Sequence, residues 1–86
     1  MTVKKELIKR DIAGEYFLVP VGKSMYDSNG LFILTELGSF IWDLLPNVDG
    51  EEDILKAVLA EYEVDEATAK ADIQVFLNKL KMLEIL

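Results

Sequence analysis

The sequence predicts an α+β fold in which three short antiparallel strands precede three helices. Two observations carry this reading over the 86 residues. Up to Leu34 the apolar residues stand in short β-branched and aromatic runs broken by turn chemistry, whereas from Thr35 onward they recur at helical spacing.

The strand half divides at its turn residues. Ile8 to Ala13 and Glu15 to Val21 read as strands separated by Gly14. Leu31 to Leu34 is a continuous apolar run after Asp27-Ser28-Asn29-Gly30, a cluster that favours a turn. Pro20 has no N–H to give a ladder, so it belongs at the end of the second strand or in a bulge. Hairpin-length connections make the three strands a meander, with the first and third at the two edges. Edges are commonly blunted by charge or proline, yet Leu31-Phe32-Ile33-Leu34 carries neither and needs a cover. These side chains also suit packing under the helices, and alternation along a strand allows both uses at once.

The helical half has three segments. Leu37, Phe40, Ile41 and Leu44 lie at i, i+3, i+4 and i+7, with Thr35 as N-cap and Pro46 as the stop. A second helix starts at Asp49, where Asp-x-x-Glu with Glu52 has the form of a capping box, and runs to about Glu63 with Ile54, Leu55, Val58, Leu59 and Tyr62 on one stripe. The third is capped by Asp65 and extends toward Leu83 with Ala69, Ile73, Phe76, Leu77 and Leu80 inward. Lys79 and Lys81 fall in its last turns, where the helix dipole favours cations. Trp42 lies off the first helix's stripe, on the side of Gly38, and is expected to pack against a neighbouring element such as the sheet, with Gly38 leaving room for close approach.

Composition narrows the function. A chain of this length builds one core, so residues 1–86 are expected to form a single domain. No run approaches the length of a membrane span and the N-terminus leads into no signal-peptide core, so a cytoplasmic location without membrane attachment is expected. With no cysteine and no histidine, the sequence lacks a thiol nucleophile, the commonest general base and the commonest metal ligand. A net charge of −7 opposes binding that depends on neutralising phosphates, which argues against nucleic acid as a partner.

Apparent chemical motifs fail on spacing. Gly22-Lys23-Ser24 resembles the end of a phosphate-binding loop, but Phe17 stands where that loop needs its first glycine. Asn47, Asp49 and Gly50 imitate part of a calcium loop, but the first and last ligand positions hold Leu45 and Lys56. Carboxylates are plentiful, as in Glu51-Glu52-Asp53 and Glu61, Glu63, Asp65, Glu66, but capping and dipole account for the clusters at helix starts. No catalytic residue, metal site or cofactor is expected, and the chain reads as a binding module, not an enzyme.

Two stretches and one helix make the family pattern visible. Gly14-Glu15-Tyr16-Phe17-Leu18-Val19-Pro20-Val21-Gly22 and Leu34-Thr35-Glu36-Leu37-Gly38-Ser39-Phe40-Ile41-Trp42-Asp43-Leu44-Leu45 resemble the PqqD-like family, and Asp72-Ile73 followed by Phe76-Leu77 and Leu80 is similar to its C-terminal pattern. The resemblance spans nearly the whole chain. Two positions depart from it: Thr35 stands where members usually have asparagine, and Leu83-Glu84 where glycine is common.

The resemblance implies a winged helix-turn-helix that recognises the leader of a ribosomally made precursor peptide. It implies that the leader adds as a strand and is presented to a modifying enzyme, often a radical S-adenosylmethionine maturase. Carried over by position, Leu31, Phe32, Ile33 and Leu34 become the docking edge, and Asp72, Phe76, Lys79 and Leu80 the helical wall. Lys79 would then steer an acidic leader. The alternative is a self-associating scaffold, a homodimer or swapped dimer pairing through the bare third-strand edge.

Overall fold

The computed structural model describes residues 1–23 and 32–86. β1 (Leu7–Ile12) and β2 (Glu15–Pro20) form a hairpin in which Ile12 faces Glu15 and Leu7 faces Pro20. Ala13 and Gly14 connect them with φ of 53° and 84°. Two successive positive φ values are the mark of a type I′ turn, whose twist matches that of the strands it joins. Pro20 closes β2, where its missing N–H costs no ladder bond.

β3 (Phe32–Leu34) pairs antiparallel with the other side of β2, Leu18 facing Phe32 and Tyr16 facing Leu34. The order β1-β2-β3 is the predicted meander, with β1 and β3 at the edges. The turn expected at Asp27–Gly30, Ser24 and Leu31 lie outside the described residues.

α1 (Glu36–Leu44) begins where Thr35 Oγ1 accepts from the Gly38 N–H at 3.0 Å, the cap that the sequence announces. It gives way to a short 3-10 turn, Leu45–Asn47, that contains Pro46. α2 (Glu51–Glu61) corrects the expected capping box. Gly50 is its N-cap, and the Asp49 N–H donates to the Asp53 carboxylate at 3.1 Å, not to an arrangement built on Glu52. The reason is that the N-cap falls one residue later than expected, at Gly50 and not Asp49, which puts Asp53 in the N3 position that reaches back. It also ends earlier, at Glu61.

α3 (Glu66–Met82) is capped by Asp65, which accepts from Thr68 N at 3.3 Å. Its other end is a Schellman motif: Ile85 N donates to Leu80 O at 2.8 Å and Glu84 N to Lys81 O at 3.0 Å, with Glu84 in the left-handed region at φ 60°. Buried Ile85 and Leu80 make the apolar pair that accompanies such a cap.

The three helices enclose the core. Ile41, Leu45 and Val48 meet Ile54 and Val58 of α2 and Ala69, Ile73, Leu77 and Leu80 of α3. Trp42, off the α1 stripe, is half-buried and packs on this helical core. Leu18 and Leu34 are the buried residues of the sheet. Lys9 on β1 sets the sheet on α1: its Nζ donates to Ser39 Oγ at 2.8 Å and pairs with Asp43 at 2.6 Å, while lying 5.3 Å from the Tyr16 ring centroid. Ser39, a buried polar residue, thus has its partner. Among the described residues no helix is long and apolar enough to cross a membrane.

Candidate functional site

β3 has one edge bonded to β2 and faces no described strand on the other. Alternation along it leaves Phe32 half-buried, Ile33 63% exposed and Leu34 buried. So apolar a residue on an open edge is a surface that a second extended chain would cover.

A cleft of about 360 Å³ lies beside this edge. Phe32 and Ile33 form its strand side. Asp72, Val75, Phe76 and Lys79 form its helix side, at i, i+3, i+4 and i+7 of α3, so they share one face. Thr35, Leu37 and Gly38, at the start of α1, complete it.

The fit at Gly38 is close. A Cβ built there would stand 3.1 Å from Phe76 Cε1 and 3.2 Å from Thr35 Oγ1, so only glycine lets α1 approach the ring without a shift. Lys79 marks one end of the cleft, its Nζ 5.0 Å from the Phe32 ring centroid in a cation–π contact. Asp72 stands seven residues back along α3, about 10.5 Å by helical rise.

Leu37 and Asp72 also line a second cavity, of about 240 Å³, whose other walls include Val58, Tyr62, Glu63 and Val64. Tyr62 stacks edge-on against Phe40, with centroids 5.3 Å apart. Burial, then the charges of Glu36 and Glu61, hold the Tyr62 phenol above its usual pKa, with a smaller contribution from Tyr16. Among the described residues no group of three or more His, Cys, Asp or Glu converges as metal ligands would.

Of the residues singled out in the sequence, Phe32, Ile33, Asp72, Phe76 and Lys79 meet at this one cleft. Leu34 and Leu80 do not line it; they are buried in the interior at 5% and 0% exposure. Leu31 lies outside the described residues. Sequence reasoning missed Thr35, Leu37, Gly38 and Val75 as lining residues. For Val75 a signal existed, since it completes the 72/75/76/79 spacing, whereas the others enter only through the packing of α1 against α3.

A three-stranded sheet followed by three helices, with the open edge of β3 beside one face of α3, defines a winged helix-turn-helix. The chain belongs to the PqqD family, whose model, described as coenzyme PQQ synthesis protein D, matches residues 15–86. The solved structure of TbiB1 in complex with the TbiA(beta) leader peptide is similar at 31% identity and a TM-score of 0.76, covering 100% of this chain and 94% of that one. No curated protein matches the chain.

Proposed function

We propose that this protein is a leader-peptide recognition domain. It binds the leader of a ribosomally synthesised precursor as an added strand along β3 and presents it to a modifying enzyme. The observation that carries the reading is the apolar cleft at the open edge of β3, in a chain that matches a leader-bound protein over its full length. In this reading residues 1–86 act as one cytoplasmic, non-catalytic domain. The enzyme that receives the leader is a peptide-modifying enzyme such as a radical S-adenosylmethionine maturase.

Phe32, Ile33, Asp72, Phe76 and Lys79 are the contact residues, with the backbone of Phe32–Leu34 as the docking edge. Leu34 and Leu80 support them from the interior. Energetics require side-chain pockets. Ordering each leader residue costs about 1–2 kcal/mol, while a ladder hydrogen bond returns about 0.5–1.5. Micromolar affinity needs about −8 kcal/mol net, so two or three apolar leader side chains must be buried for roughly 1.5–3 kcal/mol each. The cleft at Phe32, Leu37 and Phe76 supplies such a surface.

The test is a fluorescence-polarisation titration of the protein against the labelled leader of a precursor peptide encoded beside it, with a scrambled leader as control. Saturable binding of the true leader alone supports the reading; no binding to folded protein overturns it.

Exposed Ile33 on the open edge favours a second reading, in which two copies pair through β3. Size-exclusion chromatography separates the two. A dimer that leader converts to a complex of one protein chain and one peptide makes the edge a shared site, whereas a dimer that leader leaves intact places self-association elsewhere.

A further inference from the structure

The cleft beside β3 does not end at that strand. Leu37 and Asp72 line both it and the cavity at Tyr62, so the two adjoin as a groove in two parts, on either side of Leu37 and Asp72, leading toward the corner between α2 and α3. Its two ends differ in charge. Lys79 stands over Phe32 at one end, while Glu63 and Asp72 line the other cavity, with no lysine or arginine among its described lining residues. The charges of Glu36 and Glu61 act on Tyr62, which brings their field to the same corner. None of these four carboxylates is ion-paired with a described residue.

We propose that the peptide bound here carries three features in order along the groove: a Lys or Arg in the second cavity against Glu63 and Asp72, an apolar side chain against Phe76, and an acidic residue facing Lys79. This rests on, and deepens, the reading that a leader docks along β3. A long basic side chain suits an apolar hollow rimmed by acids, because its methylene stem covers Leu37, Val58 and Val64 while its head stays at the wet rim. An extended peptide covers the roughly 10.5 Å between Asp72 and Lys79 in about three residues. The opposite charges of the ligand therefore stand about three to five residues apart, with the anchor between them.

The experiment selects binders of the full-length protein from a displayed library of random dodecapeptides. Selection is repeated on the double variant Glu63→Lys/Asp72→Lys and on Phe76→Ala, each first shown to be folded by circular dichroism. The expected binders of the unmodified protein are enriched in a basic residue on one side of an apolar anchor and an acidic residue on the other. The double charge variant then loses or reverses the basic preference while keeping the anchor, with affinity for the original binders falling about two- to fivefold per carboxylate replaced. Binders that depend on Phe76 but show no basic preference, or that keep it on the double variant, overturn the charge order and leave leader docking standing. Binders indifferent to Phe76→Ala, or no enrichment at all, overturn the docking reading and the charge order with it.

Discussion

Gly38 lies so close beneath Phe76 that a Cβ on it would come within 3.1 Å of the ring. The start of α1 and the middle of α3 thus meet through a glycine and a phenylalanine at the floor of the cleft. That contact links two properties usually measured separately, the stability of the helical unit and the shape of the cleft proposed to bind the leader.

Gly38→Ala should separate them. Alanine is favoured over glycine in a helix by roughly 1 kcal/mol, while overpacking costs about 1–3 kcal/mol. The two oppose each other, so the change in stability is expected to be small, within about 1–2 kcal/mol. The ring must move to make room, and leader affinity is expected to fall by more than stability does. Urea unfolding and leader titration on one variant check this; unchanged affinity would show that the ring's place in the cleft does not matter.

Phe76→Ala should weaken leader binding at least tenfold, because removing a ring that buries a leader side chain forfeits about 1.5–3 kcal/mol. Phe76 is only half-buried, so folding should lose less than the roughly 3–5 kcal/mol of a core Phe→Ala change. Ile73→Val is the matched control: Ile73 is buried, and its substitution should cost about 0.5–1.5 kcal/mol of stability without altering affinity. Equal affinity for folded Phe76→Ala and the unmodified protein would remove Phe76 from the site.

Glu84→Gly should stabilise the protein. Glu84 holds a φ of 60° in the Schellman motif that ends α3, a conformation costing roughly 1–2 kcal/mol for a residue with a Cβ. Glycine avoids that cost but gives back about 0.5–1 kcal/mol in the entropy of the unfolded chain. A net gain of up to about 1.5 kcal/mol, read as a higher denaturation midpoint, is expected. A lower midpoint would mean that the Glu84 side chain makes a compensating interaction.

Tyr62 should ionise later than an ordinary tyrosine, since burial foremost and the Glu36 and Glu61 charges next disfavour its phenolate. Its folded pKa exceeds its unfolded value of about 10, so the associated stability is complete below that pH and is lost as pH rises through the folded pKa. Ultraviolet titration should resolve a late phenol that disappears in Tyr62→Phe, and the variant's stability should decline less steeply above about pH 10. A Tyr62 that titrates at about 10 would show that the carboxylates do not act on this corner.

Local signals were legible wherever they stayed local. Thr35 and Asp65 cap α1 and α3 as read from the chain, because an N-cap needs only a side chain and a backbone N–H three residues on. The reading at Asp49 failed by one residue because Gly50 takes the cap position and Asp53, not Glu52, is then placed to reach back. Leu80 and Phe76 share an apolar stripe in the sequence, yet one is fully buried and the other lines the cleft. Helical period defines a stripe's width but not which flank a neighbouring sheet leaves open.

The sequence by itself determined that three strands precede three helices, that the meander leaves β3 at an edge, and that no cysteine or histidine chemistry is available. These follow from periodicity, turn residues and composition, which act over a few positions at a time. Only the tertiary structure decided that α1 passes under Phe76 at Gly38, that Leu37 and Asp72 are shared by two adjoining cavities, and that Lys79 lies over Phe32. Those relationships depend on the distance and angle at which the helices pack on one another and on the sheet, and packing is set by all the buried side chains together.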